Sequence, residues 1–319
     1  MKIVVGIDVG GTSIKGAAVM ENGVILDRFT FPTNKEEKPE EIVGRICEEI
    51  KAHMSAKHYG AVGCGIGIPG LINSKEGIVT SSANLPTWEG FNIQKFVSEQ
   101  IGLPVKITND ANAAALGESH FGAGKKYENL LMITLGTGVG GGVIINKKIY
   151  DGNEGKGAEL GHMVIAVNGR ECGCGRKGCF EAYASASGLI SSTIEAMEAH
   201  PDSKLHEAAK ETGKVDARTA FLAEKMGDKV AKEVVDEYVM YLGEGLLNFC
   251  NIFRPEAIIL SGGVANEGEN LFSRVKKYFK DHDYGYKQAP KVEVLPSELG
   301  YDSGIIGAAS LILFDEESN

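Results

Sequence analysis

No apolar run in these 319 residues approaches the roughly 18 needed to cross a bilayer, so a membrane-spanning role is not expected. Met1-Lys2 leads straight into Ile3-Val4-Val5-Gly6-Ile7, too short and too soon polar for a signal peptide, and the chain reads as cytoplasmic. Positive charge is in short supply. With 33 Lys and Arg against 43 Asp and Glu, the net charge of −10 disfavours nucleic acid or an anionic membrane as a partner. An anionic ligand would need local capture. The pattern G-x-x-x-x-G-K-[ST] is missing, which removes the P-loop, and no low-complexity stretch or disordered linker stands out. Cysteines number only 6. Cys47, Cys64 and Cys250 lie among apolar neighbours and read as small buried hydrophobes in a reducing cell.

The other three cysteines are crowded together. Glu159-Leu160-Gly161-His162 is followed, nine residues on, by Cys172-Gly173-Cys174-Gly175-Arg176-Lys177-Gly178-Cys179-Phe180-Glu181. One imidazole and three thiolates make a soft four-donor set that suits tetrahedral Zn²⁺. Four protein ligands leave no open position, so the metal would be structural. Gly173, Gly175 and Gly178 would let the backbone curl around one ion. A disulfide plus a lone thiol is the competing arrangement. Cys172 and Cys174 are too close in sequence to pair comfortably, and nothing else suggests an oxidising compartment. A histidine that gives one nitrogen to zinc keeps the other as a donor. Glu159 and Glu181 flank the cluster, either holding ligand hydroxyls beside that donor or only supporting the metal ligands; spacing leaves both open.

Alternating short strands and helices place the chain in the α/β class. Ile3 to Ile7, the loop Asp8-Val9-Gly10-Gly11-Thr12-Ser13, and Ile14 to Met20 form a hairpin closed by Glu21-Asn22-Gly23. Leu130 to Leu135, the loop Gly136-Thr137-Gly138-Val139-Gly140-Gly141-Gly142, and Val143 to Ile145 repeat that grammar, turning at Asn146-Lys147. The offset is 126 residues, from Val9 to Leu135. Two such halves facing each other would set two glycine tips across a cleft, where backbone N–H groups could hold nucleotide phosphates. The second loop also satisfies G-x-G-x-x-G, but a strand follows it where a dinucleotide fingerprint needs a helix.

Apolar residues at 42, 46, 50 and 54 predict a helix over Pro39 to Met54. A strand from Cys64 to Ile68, a loop around the only tryptophan, Trp88, and a helix from Phe91 to Ile101 come next. Val105 to Thr108 reads as a strand running into Asn109-Asp110, with a helix over Ala111 to Phe121. Asp110 is then either an N-cap, worth about 0.5–2 kcal/mol, or a carboxylate at the end of a strand where α/β proteins keep their chemistry. Beyond the cysteine segment, helices are expected near Ser187 to Ala199, Asp216 to Met226 and Lys229 to Phe253, where Gly243 and Gly245 would admit close contacts. Strand Ala257 to Leu260 enters the turn Ser261-Gly262-Gly263; helix Glu269 to Phe279, strand Lys291 to Leu295 and helix Ser303 to Phe314 complete the chain. Its length suggests two lobes. The seam is expected near Asn112, giving a small lobe over 1–112, to which a helix over 303–319 returns, and a large lobe over 113–302 carrying the zinc site.

Taken together, Asp8-Val9-Gly10-Gly11-Thr12, Asn109-Asp110, Leu135 to Gly142, Glu159-Leu160-Gly161-His162 and the Cys172 to Glu181 run resemble the ROK family (repressors, open reading frames, sugar kinases). Within it the chain is similar to the glucokinases of Gram-positive type. The resemblance implies the two-lobed actin-like, hexokinase-like ATPase fold with duplicated ribonuclease H-like halves, closing on sugar and ATP. It implies Asp110 as the base for the sugar 6-hydroxyl, with Gly70, Asn84, Asn109, Glu159, His162 and Glu181 around the sugar. It implies Asp8, Gly10, Gly11, Thr12, Lys15, Gly136, Thr137, Gly138, Gly262 and Gly263 around ATP and Mg²⁺, with His162, Cys172, Cys174 and Cys179 on structural zinc. A carboxylate near or below its ordinary pKa, as a helix N-terminus favours, would still serve as the base, because the hydroxyl acidifies as its bond to phosphorus forms. The family also implies a homodimer or homotetramer. Kinases of N-acetylmannosamine, N-acetylglucosamine or another hexose, a polyphosphate donor, and a non-catalytic sugar-responsive regulator are the alternatives. The regulator branch carries a winged helix-turn-helix ahead of the sugar-binding half, for which the Asp8 hairpin leaves no room.

Overall fold

The computed structural model describes residues 2–34, 36–57 and 60–315. In chain order the elements are β1 (Ile3–Val9), β2 (Ser13–Met20), β3 (Ile25–Pro32), α1 (Pro39–Lys57), β4 (Ala61–Ile68), β5 (Leu71–Asn73), β6 (Ile78–Ser81), α2 (Ile93–Ile101), β7 (Val105–Asn109) and α3 (Asp110–Phe121). They continue with β8 (Leu130–Leu135), β9 (Val139–Ile145), β10 (Lys148–Ile149), α4 (Glu181–Ala184), α5 (Ala186–Ala199), α6 (Leu205–Glu211), α7 (Thr219–Lys225), α8 (Lys229–Phe253), β11 (Ala257–Ser261), α9 (Glu269–His282), β12 (Glu293–Pro296) and α10 (Ser303–Leu313). No helix among the described residues is long and apolar enough to cross a membrane.

Two five-stranded sheets carry the chain, in the orders β3-β2-β1-β4-β7 and β10-β9-β8-β11-β12. The orders are the same when each sheet's strands are counted in sequence, which is the duplication that the paired glycine loops suggested. In the first sheet β2 lies antiparallel to β1 and β3, while β4 lies parallel to β1 and β7. The parallel strands end at the same side, where Asp8 pairs with Gly67 and Ile68 with Asn109.

Two compact units share the chain: 1–130, 142–158 and 298–319 form one, and 131–141 and 159–297 the other. The first therefore extends past the expected seam at Asn112, because α3 packs along α10 and stays with it. Residues 303–315 belong to that unit, while 316–319, the end of the helix expected from the sequence, lie outside the described residues. Its core joins Ile7, Ile14, Ile42, Ile46, Ile50, Ile66 and Trp88, all but excluded from water. Each such aliphatic side chain contributes about 1.5–3 kcal/mol through burial. On the other face of the sheet α10 comes close enough that a Cβ on Gly6 or Gly65 would strike its backbone carbonyls, at 2.1 Å from Ile305 O and 1.7 Å from Ala308 O.

In the second unit the long helix α8 makes the close contacts its glycines suggested. Gly245 meets the ring of Phe180 and Gly243 that of Tyr278 on α9. Cys47, Cys64 and Cys250 are buried, as expected for small apolar residues. Several elements begin later than sequence predicts: α2 at Ile93, after Asn92 caps it, α7 at Thr219, and β12 at Glu293. Strand β9 starts earlier, at Val139, because the glycine loop is already extended there.

Candidate active site and metal centre

In the first unit the β1–β2 tip is a tight turn, with Gly10 N–H donating to Ser13 O at 2.9 Å. Thr33, just past β3, fastens it from outside. Its hydroxyl donates to Gly10 O at 2.8 Å and its N–H to Thr12 O at 3.0 Å. Sequence gave no sign of this residue's role, since β3 is an edge strand with every side chain only partly covered or exposed. Thr12 is exposed at the tip, with Gly10 and Gly11 half-buried beside it. Asp8 faces Lys15 across the hairpin, and Lys15 Nζ stands 5.8 Å from the centre of the Tyr301 ring, within cation–π range. The Asp8 carboxylate also abuts the start of α10, where a Cβ on Gly304 would lie 3.0 Å from its Cγ.

Asp110 opens α3, and the cap itself is Asn109, whose Oδ1 accepts from the N–H groups of Ala111 (2.8 Å) and Asn112 (3.2 Å). Asn109 Nδ2 donates to Gly70 O at 2.9 Å, which ties the β4–β5 turn to the end of β7. Asp110 Oδ1 accepts from Ala111 N–H at 2.9 Å. Burial pushes the Asp110 carboxyl above the usual carboxylate range, outweighing the amides of Ala111 and Asp110 and the Asn109 side chain, which pull it down. The helix N-terminus alone suggested the opposite direction; removal from water wins. Burial and the charge of Asp110 likewise raise Asp8, with Lys15 opposing. A carboxylate whose proton is held on by burial and by the charge of a second carboxylate marks a place where a divalent cation would be welcome. Asn84 is exposed on the loop ahead of the Pro86–Trp88 turn.

In the second unit the β8–β9 tip repeats the first turn, Gly136 N–H donating to Gly138 O at 3.0 Å, one residue tighter than its counterpart. Thr137 is exposed at its apex, and Ala186 N–H at the start of α5 holds Gly136 O at 2.8 Å. Glu181 approaches from the side. Its Oε2 accepts from Val139 N–H at 2.9 Å, and a Cβ on Gly138 would lie 2.3 Å from that oxygen. Its Oε1 lies 3.6 Å from Cys172 Sγ. One carboxylate therefore joins the glycine loop to the cysteine cluster. Gly262, at φ +89, turns β11 directly beneath the end of β8, 2.5 Å from Leu135 O measured from an added Cβ, while the space around Gly263 is open.

His162, Cys172, Cys174 and Cys179 converge, with all donor atoms within 4.8 Å of one another. Cys174 and Cys179 Sγ are 3.7 Å apart, and His162 Nδ1 is 3.6 Å from Cys172 Sγ. A tetrahedral zinc with Zn–S near 2.3 Å and Zn–N near 2.0–2.1 Å requires separations of about 3.8 Å and about 3.6 Å, so these two donor pairs match the spacing of the ion. A disulfide would need about 2.05 Å, and the cysteines are free. With His162 Nδ1 aimed into the cluster, Nε2 is the nitrogen left for another partner. Gly175 and Gly178 supply the left-handed turns of the loop, at φ +85 and +78; Gly173 is not in that region, so two glycines and not three make the curl.

Glu159, exposed, precedes a turn over Leu160–His162 that lies against β9, close enough that a Cβ on Gly161 would be 2.2 Å from Val139 O. Ala158 is held at φ +61. That conformation costs a non-glycine residue roughly 1–2 kcal/mol. Ala158→Gly is expected to raise stability by about 0.5–1 kcal/mol, the strain relief less the entropy of glycine; a thermal midpoint that falls would contradict the strain.

The sequence pattern that defines the ROK family matches residues 4–314. The glucokinase of Halalkalibacterium halodurans is 37% identical over 318 residues, covering 98% of this chain and 96% of its own. The xylose repressor of Bacillus spizizenii is 33% identical over 312 residues, 97% of this chain and 76% of the repressor. Among solved structures, a ROK family glucokinase from Streptomyces griseus in complex with glucose and AMPPNP superposes with a TM-score of 0.79 at 34% identity, covering 97% of this chain and 98% of that one.

Proposed function

The chain belongs to the ROK family, and from that premise we propose that it is a glucokinase, transferring the γ-phosphoryl group of ATP to the 6-hydroxyl of glucose. Its fold is the two-lobed, actin-like ATPase fold of its structural neighbours. The observation that carries the reading at the level of chemistry is Asp110, an enclosed carboxylate at a strand-to-helix junction, with Asp8 near enough to feel its charge.

In the proposed reaction, Asp110 accepts the proton of the 6-hydroxyl as that oxygen bonds to the γ-phosphorus and the bond to the ADP oxygen breaks. Ala111 N–H occupies Oδ1, so the other carboxylate oxygen takes the proton. Phosphoryl transfer needs positioning and charge compensation more than covalent help. The tips at Gly10 to Thr12 and Gly136 to Gly138 supply backbone N–H groups for phosphates, Lys15 a compensating charge, and Gly262-Gly263 room for adenosine. Asn84, Asn109, Gly70, Glu159, His162 Nε2 and Glu181 surround the sugar. Asp8 would help hold Mg²⁺, which would supply charge neutralisation on the phosphates. His162 Nδ1 and the thiolate of Cys172 would help hold zinc, which would supply a fixed orientation for the imidazole; Glu181 Oε1, no longer facing an S–H donor, would then be available to a hydroxyl. The family resemblance further supports a cytoplasmic homodimer or homotetramer, which light scattering tests.

A coupled assay with ATP over glucose, mannose, N-acetylglucosamine and N-acetylmannosamine decides the matter. Glucose is expected to give the highest kcat/KM, and no turnover with any sugar would move the protein to the sugar-responsive regulators. The raised Asp110 pKa also fixes a pH dependence. Activity requires the ionised carboxylate, so the acid limb of kcat/KM for glucose is expected above the ordinary aspartate value of about 3.9. An acid limb at or below that value would remove Asp110 as the base.

A further inference from the structure

A polar cavity lies wholly within the first unit, away from the glycine tip. Its volume is about 640 Å³, within the range of about 300–1,000 Å³ that small-molecule sites occupy. Lys75, Lys106, Lys147 and Lys148 line it, against Asp151 and Asp315. Among the described residues that is a local positive excess in a chain whose net charge is −10. His120, also on the wall, adds no charge, because burial holds its pKa down to about 4.

The wall is built and not merely a patch of surface lysines. Lys147 is held at φ +62, and its ammonium is fixed by the carbonyls of Ser119 (2.7 Å), Gly124 (3.1 Å) and Lys125 (3.0 Å). A non-glycine residue kept in that conformation is over-determined by its surroundings. Lys106 is tethered to Asp315 at 2.6 Å. Hydroxyl partners are present too, with Ser74 donating to Asp151 at 3.1 Å and Gln94 and Thr108 in the lining. Lys147, its three N–H donors taken by carbonyls, contributes positive charge without a hydrogen bond to the ligand, Lys75 on the exposed side of the wall can meet a phosphate as a point charge, and the mixed polar lining suits hydroxyls.

We propose that this cavity is a binding site for a small phosphorylated polyol, a sugar phosphate in class, and that its occupancy is felt at Asp110. The second half follows from the walls: Ile107 and Thr108 belong to β7, which ends at Asn109, and Leu116 and His120 belong to α3, which Asp110 opens. A ligand that draws in these walls acts on the strand entering and the helix leaving the catalytic carboxylate. The site's existence does not depend on the proposed reaction; the choice of glucose 6-phosphate as first probe does.

Protein saturated with glucose and a non-hydrolysable ATP analogue, so that the reaction site is filled, is titrated calorimetrically with glucose 6-phosphate and separately with inorganic phosphate. Glucose 6-phosphate is expected to bind at one site per chain, at least tenfold tighter than phosphate. Lys75→Glu/Lys148→Glu, and the milder double alanine variant, are expected to weaken it tenfold or more while leaving KM for glucose and ATP within twofold. Turnover at saturating substrates is expected to change at least twofold with glucose 6-phosphate in the natural protein and not in the variants. No binding to the saturated protein, or equal binding by both double variants, overturns the site. Equal binding of the two anions overturns the polyol assignment, and binding without a change in kcat overturns the coupling to Asp110. Absent glucose phosphorylation with intact anion binding would instead fault the kinase reading alone.

Discussion

Asp110→Asn is expected to lower kcat a thousandfold or more, a barrier increase of about 4 kcal/mol, while glucose affinity measured by calorimetry stays within a few fold. The amide keeps the size of the carboxylate and an oxygen able to accept from Ala111 N–H, so α3 should begin as before. What it loses is the ability to take a proton. A second consequence follows from linkage. The folded state holds the Asp110 proton more tightly than the unfolded chain does, so the folded form binds more protons between the ordinary carboxylate range and the raised value. Stability of the ligand-free protein at this site is then present at low pH and lost as pH rises through that window. Asp110→Asn removes the loss and should melt at a higher temperature than the parent at pH 7, with the difference vanishing in acid. A variant that keeps kcat within tenfold would dispose of Asp110 as the base, whatever its stability.

The second large effect is expected from Cys172→Ser. Zinc content by mass spectrometry should fall from one per chain to near zero, since a serine hydroxyl is a poor soft donor. Structural zinc sites contribute on the order of 10 kcal/mol or more to the fold around them, so the thermal midpoint should drop and sugar affinity weaken at least tenfold through His162. A serine hydroxyl at position 172 would donate to Glu181 Oε1, as a zinc-bound thiolate does not, and because Glu181 also holds Val139 N–H the KM for ATP should rise as well. Cys174→Ser, at the exposed position of the cluster, should lose metal too but disturb Glu181 less. Metal-free Cys172→Ser with normal KM for both substrates would break the link between the cluster and the site.

Much of this was readable before any coordinates, where the signal is local. Ile3 to Ile7 and Leu130 to Leu135 announce strands by apolar runs, and their glycine loops announce turns. The helix over Pro39–Lys57 follows from an apolar stripe, and the soft donor set of His162 and the cysteines is a matter of residue type and spacing. Strand β3 and the short β5–β6 pair left no comparable trace. Ile25–Pro32 is half-exposed along its length, so its pattern carries little burial signal, and strands of 3 and 4 residues are too short to show a period.

The sequence by itself determined the chemistry available: which side chains can hold a soft metal, which loops can bare their backbone, and which aspartate lies where a strand hands over to a helix. Tertiary structure alone decided what those groups are able to do. Burial, and not the helix end, sets the proton affinity of Asp110, since desolvation depends on neighbours brought from distant parts of the chain. Glu181 becomes the tie between a metal cluster and a glycine loop, with 42 residues separating it from Val139. The lysine-lined cavity likewise exists only because β7, α3, the β9–β10 turn and the end of α10 meet in one unit. Local pattern fixes the elements; free energies of proton and ligand binding belong to the dielectric and charges around them, which no stretch of sequence contains.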